Sequence, residues 1–353
     1  MKKTIKIYFV GFWNNMDMEN NIVCNVLKRH YDIVLDAQKP DYIFCSAFGE
    51  PYEYCKYDGI RIFCSGENYS PDFNVVDYAI GYDNLSYGDR FFRRIFITMK
   101  HDATRYDSLI EQLKDRPSVV DGGTLASKDK FCNLIYSHER DDFGRKRMLE
   151  TLSAYKRVDS AGTYLNNMSD GMHVTRDTKL AFQTRYKFTI AFESVNMHGF
   201  FTEKIVDAFL ANTIPIYMGD PDISTIFNSK AFINCDDYDS FEEVLEKVKE
   251  LDNNDELYLQ MLQEPIFAEG LAVDGYDERF EAFLIHIFEQ DKENAYRRAR
   301  GLAFGVAKAH EERLVAYSEL EKRANRKPLI VRMRENGRRC AGKVKRLMLR
   351  REK

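Results

Sequence analysis

Tyr186-Lys187-Phe188-Thr189-Ile190-Ala191-Phe192-Glu193-Ser194, then Gly199-Phe200-Phe201-Thr202-Glu203-Lys204-Ile205-Val206-Asp207-Ala208-Phe209, then Ile214-Pro215-Ile216-Tyr217-Met218-Gly219, is the stretch that decides the fold. The first run is apolar and aromatic over the length of a buried strand. It ends in a loop that enters a helix at Thr202, a residue type suited to an N-cap. The third run is another short strand. Strand, helix, strand is the unit of a parallel sheet, and open sheets of this kind bind ligands in the loops at the carboxyl ends of their strands. At that point free backbone N–H groups and the helix dipole favour a phosphate, and Lys204 in the first turn adds a full positive charge. Glu203, one residue earlier, suits hydrogen bonds from sugar hydroxyls. A lone T-E-K triplet is more often an ordinary solvated first turn, so its surroundings decide.

Outward from this block the pattern repeats. Phe131–Ser137, Arg157–Ser160 and Ala231–Asn234 read as strands, Phe143–Tyr155 and Phe241–Leu251 as helices. Before them, Ile5–Gly11, Ile33–Leu35, Tyr42–Cys45, Arg61–Ser65 and Tyr78–Tyr82 are strand-like runs bounded by turn formers, with Asn21–Arg29 at helical spacing. Arg90 to Lys130 is charged and less regular, and the domain boundary is placed there. Glu278–Glu289 and Leu302–Arg326 read as long amphipathic helices. The expectation is an α/β protein with an N-terminal Rossmann-like domain (1–130), a second one (131–290) and a helical extension (291–353). Two such domains facing a cleft match, by analogy, the GT-B architecture of nucleotide-sugar transferases.

A chain of 353 residues, 44% hydrophobic and 31% charged, belongs with folded proteins of more than one domain rather than disordered or membrane-spanning ones. Seven scattered cysteines without C-x-x-C spacing point to a reducing compartment. Met1-Lys2-Lys3 resembles the start of a signal peptide, but Lys6 interrupts the apolar run, and no window reaches the length of a membrane span. From Lys322 to Lys353 there are 14 basic residues against Glu335 and Glu352, a balance of +12, so the net −4 of the chain leaves −16 on the rest.

The block from Tyr186 to Gly219 closely resembles the signature of the family 10 fucosyltransferases: Y-K-F-x-L-x-F-E-N, a short loop, Y-[VI]-T-E-K, then [IV]-P-[IV]-x-x-G. A second segment, Ser65-Gly66-Glu67-Asn68-Tyr69-Ser70-Pro71-Asp72-Phe73 with Asp77–Asp83, is similar to bacterial members such as the Helicobacter enzymes. The resemblance runs from about Arg61 to Leu251. It implies inverting, metal-independent transfer of fucose from GDP-fucose to a GlcNAc hydroxyl of a Galβ-GlcNAc-type glycan, in α1,3 or α1,4 linkage. Glu67 takes the place of the general base, which an inverting displacement needs to deprotonate the acceptor hydroxyl. Lys204 and Arg145 take the places of the cations on the pyrophosphate, with Arg147 competing for the match of Arg145. Glu203 takes that of the donor-sugar contact. Ser194 and Phe200 stand at donor-binding positions where the family has Asn and usually Tyr, so one amide and one hydroxyl are missing.

Two other readings compete. Asp220-Pro221-Asp222 and Asp237-Tyr238-Asp239 are D-x-D triplets, the manganese signature of a different transferase class. A catalytically silent, membrane-bound sugar-binding or scaffold protein on the same fold would account for Ser194 and Phe200. No cofactor or metal is expected beyond the donor. In the tail, Lys343-Val344-Lys345-Arg346-Leu347-Met348-Leu349-Arg350 sets apolar residues at helical spacing among cations, as in helices that lie on anionic membranes. A solvated tail, or one that adheres to nucleic acid, is the plainer alternative. The expectation is a cytoplasmic protein, peripheral on the inner face of the membrane, without a nucleic-acid partner.

Overall fold

The computed structural model describes residues 2–94, 106–139, 143–299 and 306–325. In chain order, β1 (Lys3–Val10), α1 (Ile22–Leu27), β2 (Tyr31–Leu35), β3 (Tyr42–Cys45), β4 (Ile60–Cys64), β5 (Tyr78–Gly81) and β6 (Phe91–Arg93) build the first domain. Helices α2 (Tyr106–Val119) and α3 (Gly122–Ala126) lead to β7 (Lys130–Leu134), α4 (Arg145–Ser153), β8 (Val158–Ser160), α5 (Lys179–Gln183), β9 (Tyr186–Phe192) and α6 (Glu203–Leu210). The second domain continues with β10 (Ile214–Met218), β11 (Ile233–Asn234), α7 (Phe241–Asp252) and α8 (Asp255–Gln263). Then follow α9 (Tyr276–Glu289), α10 (Lys292–Ala295) and α11 (Val306–Ala324).

The strands form two sheets, ordered β2-β1-β3-β4-β5-β6 and β11-β10-β9-β7-β8, with every neighbouring pair parallel. In each, the chain runs one way from its first strand and then reverses. The switch points lie between β1 and β3 in one sheet and between β7 and β9 in the other, where crevices open at the carboxyl ends. The α/β, two-domain GT-B arrangement expected from the sequence is therefore present. Strand β9 is buried along almost its whole length, as a central strand covered on both faces must be.

Three differences from the sequence reading have physical causes. The stretch taken as irregular holds β6, α2 and α3; α2 is rich in charge, but Leu109, Ile110 and Leu113 are buried against α6 residues such as Phe209. Helix α9, grouped above with the second domain, lies on the first sheet. Its Phe280, Leu284, Ile287 and Phe288 join Ile5, Ile7 and Phe44 in one core, with Phe288 4.2 Å from the Tyr42 ring. Each such side chain contributes about 1.5–3 kcal/mol through burial, so the chain returns to its first domain. Thr202 is at the N-cap position of α6, yet its side chain makes no capping bond.

Beyond α9 the chain is pinned by buried charge. Asp77 accepts hydrogen bonds from the backbone N–H groups of Arg61, Arg297 and Arg298 and pairs with the Arg298 guanidinium, while Glu311 of α11 bridges Arg61 at 3.0 Å and Arg298 at 3.3 Å. Lys322, the first residue counted in the basic tail, pairs with Glu53 at 3.3 Å. The amphipathic segment Lys343–Arg350 lies outside the described residues, as do 302–305 of the last expected helix. Among the described residues no helix is long and apolar enough to cross a membrane. The six described cysteines are buried and free, and burial pushes the thiols of Cys24 and Cys55 up to about 11, so neither is poised as a nucleophile.

Candidate active site

At the switch point of the second sheet, one residue past β9, Glu193 is fully buried. A buried carboxylate needs partners. Glu193 Oε1 accepts from the Thr202 N–H at 2.8 Å and its hydroxyl at 3.0 Å; Oε2 accepts from the same hydroxyl at 2.8 Å and from Lys204 Nζ at 2.9 Å. This is where the Thr202 hydroxyl goes instead of capping α6. The glycine that closes the motif makes room for the arrangement, since a Cβ at Gly219 would lie 2.6 Å from Glu193 Cγ.

Across the switch point, Arg145 opens α4 after Gly144, which adopts the left-handed conformation (φ 71°) that spares a side chain there. Its guanidinium is buried, lies 4.0 Å over the Tyr136 ring and donates to the carbonyls of Phe192 (3.3 Å) and Glu193 (2.6 Å). Tyr136 also receives the Phe192 N–H at 2.6 Å. Arg147 is exposed and pairs with Glu242 at 3.2 Å, so the alternative match to Arg145 is directed away from this cluster.

Lys204 remains partly accessible, with 20% of its side chain exposed. Burial pulls its ammonium down in pKa, but the charges of Glu193 and Glu203 outweigh this and hold it above its ordinary value. Glu203 is exposed at the first position of α6. Desolvation acts to raise its carboxyl, and the opposing charges of Lys204 and Lys179 leave it below the usual range. A small pocket beside Lys204 is lined by Tyr136, Lys179, Gln183, Thr189 and Ile190. The Gln183 side-chain oxygen is buried there with no partner. Gln183, Lys179 and Glu193 were all missed by the sequence reading.

Ser194 follows Glu193 in the loop and is half-buried. Phe200 is buried away from this cluster, its ring edge-on to Tyr82 at 4.7 Å, and the Tyr82 hydroxyl reaches Met197 Sδ at 3.0 Å. The loop between β9 and α6 thus packs onto the carboxyl end of β5, and the carboxyl-end rims of the two sheets meet. Asp220 of the first D-x-D triplet is buried beneath this loop, where Oδ1 accepts from the N–H groups of Gly199 (2.7 Å) and Asp222 (2.8 Å). That carboxylate shapes a turn.

Glu67 stands on the opposite rim, three residues past β4, with its side chain exposed. Its backbone is held on both sides: Glu67 N–H donates to Ser65 Oγ at 3.1 Å, and its carbonyl accepts from Tyr69 N–H at 2.7 Å. Ser70 donates to Asp83 at 2.7 Å, tying this loop to the end of β5 that meets the second domain. The structure therefore gathers Arg145, Glu203 and Lys204 at one switch point, with Ser194 beside them, and sets Glu67 on the facing rim.

Residues 7–99 match the alpha-(1,3)-fucosyltransferase FucT N-terminal domain, and residues 125–263 match the glycosyltransferase family 10 (fucosyltransferase) C-terminal domain. The chain belongs to glycosyltransferase family 10. Over 291 residues it is 30% identical to the alpha-(1,3)-fucosyltransferase FucT of Helicobacter pylori, a match covering 74% of this chain and 60% of that protein. It therefore spans about three fifths of that relative's length. A crystal structure of an α1,3-fucosyltransferase superposes with a TM-score of 0.63 at 26% identity, covering 80% of this chain and 91% of the other. One with GDP-fucose gives 0.61 at 25% identity, covering 82% and 92%. Both family domains fall on the two sheets, and the cluster built around Glu193 lies within the second of them.

Proposed function

We propose that this family 10 chain transfers fucose from GDP-fucose to a GlcNAc hydroxyl of a Galβ-GlcNAc-type oligosaccharide, in α1,3 or α1,4 linkage, by inverting, metal-independent chemistry. The observation that carries the reading is the Glu193–Thr202–Lys204 assembly at the N-terminus of α6, with Arg145 beside it, at the switch point of the second sheet. A diphosphate seated there meets helix N–H groups and a fixed ammonium, which stabilise charge building on the departing GDP. Arginine beneath the strand end adds a second cation, so the stabilisation a divalent ion would supply comes from side chains. Glu203, exposed one residue before Lys204, takes hydrogen bonds from the fucose hydroxyls. On the facing rim, Glu67 accepts the proton of the attacking hydroxyl as the new C1–O bond forms and the bond from C1 to the phosphate oxygen breaks.

The test is GDP release and product mass with GDP-fucose and N-acetyllactosamine or lacto-N-biose, with EDTA present. Glu67→Gln is expected to lower turnover by roughly 10²–10⁴ with GDP binding intact. Transfer that EDTA abolishes, or near-normal turnover in Glu67→Gln, would overturn the metal-independent or the base assignment respectively. GDP-fucose bound without transfer to either sugar would favour the silent reading.

A further inference from the structure

The first sheet has a switch point of its own, between β1 and β3, and the crevice at such a point is where open α/β sheets take ligands. The loops beyond the two strands are packed tightly together. Gly11 has φ +73°, its carbonyl accepts the N–H groups of Phe48 (2.8 Å) and Gly49 (3.1 Å), and a Cβ on it would lie 2.5 Å from the Ser46 carbonyl. Only glycine allows this approach, and it brings Trp13 from one loop and Phe48 from the other into edge contact, ring centroids 5.8 Å apart. Phe48 is 45% exposed and Trp13 is half-buried. Behind them a ladder of rings reaches the core: Trp13 to Phe12 at 5.9 Å, Phe12 to Phe9 at 5.6 Å, Phe9 to Phe44 at 5.3 Å. An aromatic pair held this firmly and left open to solvent on the carboxyl-end rim of the sheet is a ligand surface rather than unfinished core.

We propose that Trp13 and Phe48 form the stacking platform for the galactose ring of the acceptor, on the same rim that presents Glu67 to the attacking hydroxyl. This rests on the transferase reading above and adds the acceptor-side residues to it. β4 neighbours β3, so the loop carrying Glu67 is the next one along the rim from that carrying Phe48. The axial hydroxyl of galactose leaves the hydrogens of C3, C4 and C5 on one uninterrupted face, which is apolar and carries partial positive charge, the complement of an aromatic π face.

Trp13 is the only tryptophan in the chain, so its emission reports this site directly. The full chain with GDP is titrated with N-acetyllactosamine and lacto-N-biose, with maltose as the control sugar. A galactoside is expected to shift the emission, saturating near the KM for transfer, while maltose does not. Trp13→Ala should raise the acceptor KM about tenfold, the equivalent of one aromatic contact, with GDP binding unchanged; Trp13→Phe should recover most of the loss. Phe48→Ala should weaken the emission response while Trp13 remains in place. If either galactoside is fucosylated without moving Trp13 emission, and Trp13→Phe and Trp13→Ala share the wild-type KM, the platform is overturned and the transferase reading stands. If a galactoside shifts the emission but receives no fucose, the platform stands and the transferase reading falls. A chain that neither responds to these sugars nor fucosylates them counts against both.

Discussion

Lys204 is both a proposed donor ligand and the counter-ion of a fully buried carboxylate, and one substitution disturbs both roles. In Lys204→Met, Glu193 keeps its bonds from the Thr202 N–H and hydroxyl but loses the ammonium at 2.9 Å. Removing one partner of a buried ion pair costs about 3–5 kcal/mol, and the surviving Thr202 bonds favour the lower end. At about 3 kcal/mol, Tm falls by about 4 °C for a chain of this size. Loss of a charge-assisted bond to diphosphate separately weakens GDP binding by about 10–100-fold. The double variant Glu193→Gln/Lys204→Met separates the two effects: the buried site is then neutral, the amide oxygen still accepts from Thr202, and most of the Tm should return while GDP affinity stays low. Circular dichroism melts and titration calorimetry with GDP read the two quantities. If the double variant recovers both, Lys204 is a structural counter-ion and not a donor ligand; if the single variant alters neither, the buried-pair argument fails.

Lys128 is 8% exposed, and burial, with Arg116 nearby, pulls its ammonium down to about 7. Between that value and its unfolded pKa near 10.4 the unfolded chain binds more protons, so stability should rise with pH by up to about 1.4 kcal/mol per unit from pH 7 to 9. Urea melts of Lys128→Met should show that slope flattened. Tyr82→Ala and Phe200→Ala should each destabilise the contact between the two rims, and their double-mutant cycle should give a coupling of about 0.5–1.5 kcal/mol; full additivity would show that the rings do not interact in solution. Deleting 326–353, which spares the Lys322–Glu53 pair, should abolish co-sedimentation with anionic vesicles at low salt and leave transfer to a soluble acceptor intact. Equal sedimentation with and without the tail would remove it as an anchor.

Most strands were legible because a buried strand is largely apolar wherever it sits: Tyr42–Cys45 coincides with β3, and the run from Tyr186 to Ser194 holds β9 and overruns it by two residues. Partnership was not legible. The spacing of Phe280, Leu284 and Ile287 announces an apolar helix face, but the sheet that receives it is decided by the return of the chain, which periodicity does not encode. Likewise α2 reads as charged loop because only a few of its residues are buried and Pro117 interrupts its last turn. Phe200 looked like a donor-site position through its neighbours in the motif, while the fold turns its ring onto Tyr82 of the other domain.

Within the site, the sequence reading picked out the cations and missed the anion that positions one of them. Glu193 directly follows a strand, where one carboxylate is ordinarily solvated, and nothing local distinguishes it. The available signal was joint: an acid just past a buried, mostly apolar strand, Thr and Lys nine and eleven residues later, and a glycine after the next strand where any side chain would strike that acid. These positions make sense together, because a lysine free in a crevice would have to lose rotamer freedom on meeting diphosphate, at about 1.5–2 kcal/mol for a side chain of this length. Pairing with Glu193 and Thr202 removes that freedom during folding. The ammonium is then already placed when GDP carries the charge of the breaking bond, and the residual positive field comes from Arg145 and the N-terminus of α6. On this argument the length of the acid at 193 matters as much as its charge. Glu193→Asp withdraws the carboxylate from Lys204 by one methylene, and turnover should fall further than GDP affinity, since binding tolerates a mobile cation better than the transition state does. Steady-state kinetics against GDP-fucose, beside GDP calorimetry, measure the split; an equal loss in both would mean that Glu193 holds the lysine for binding alone.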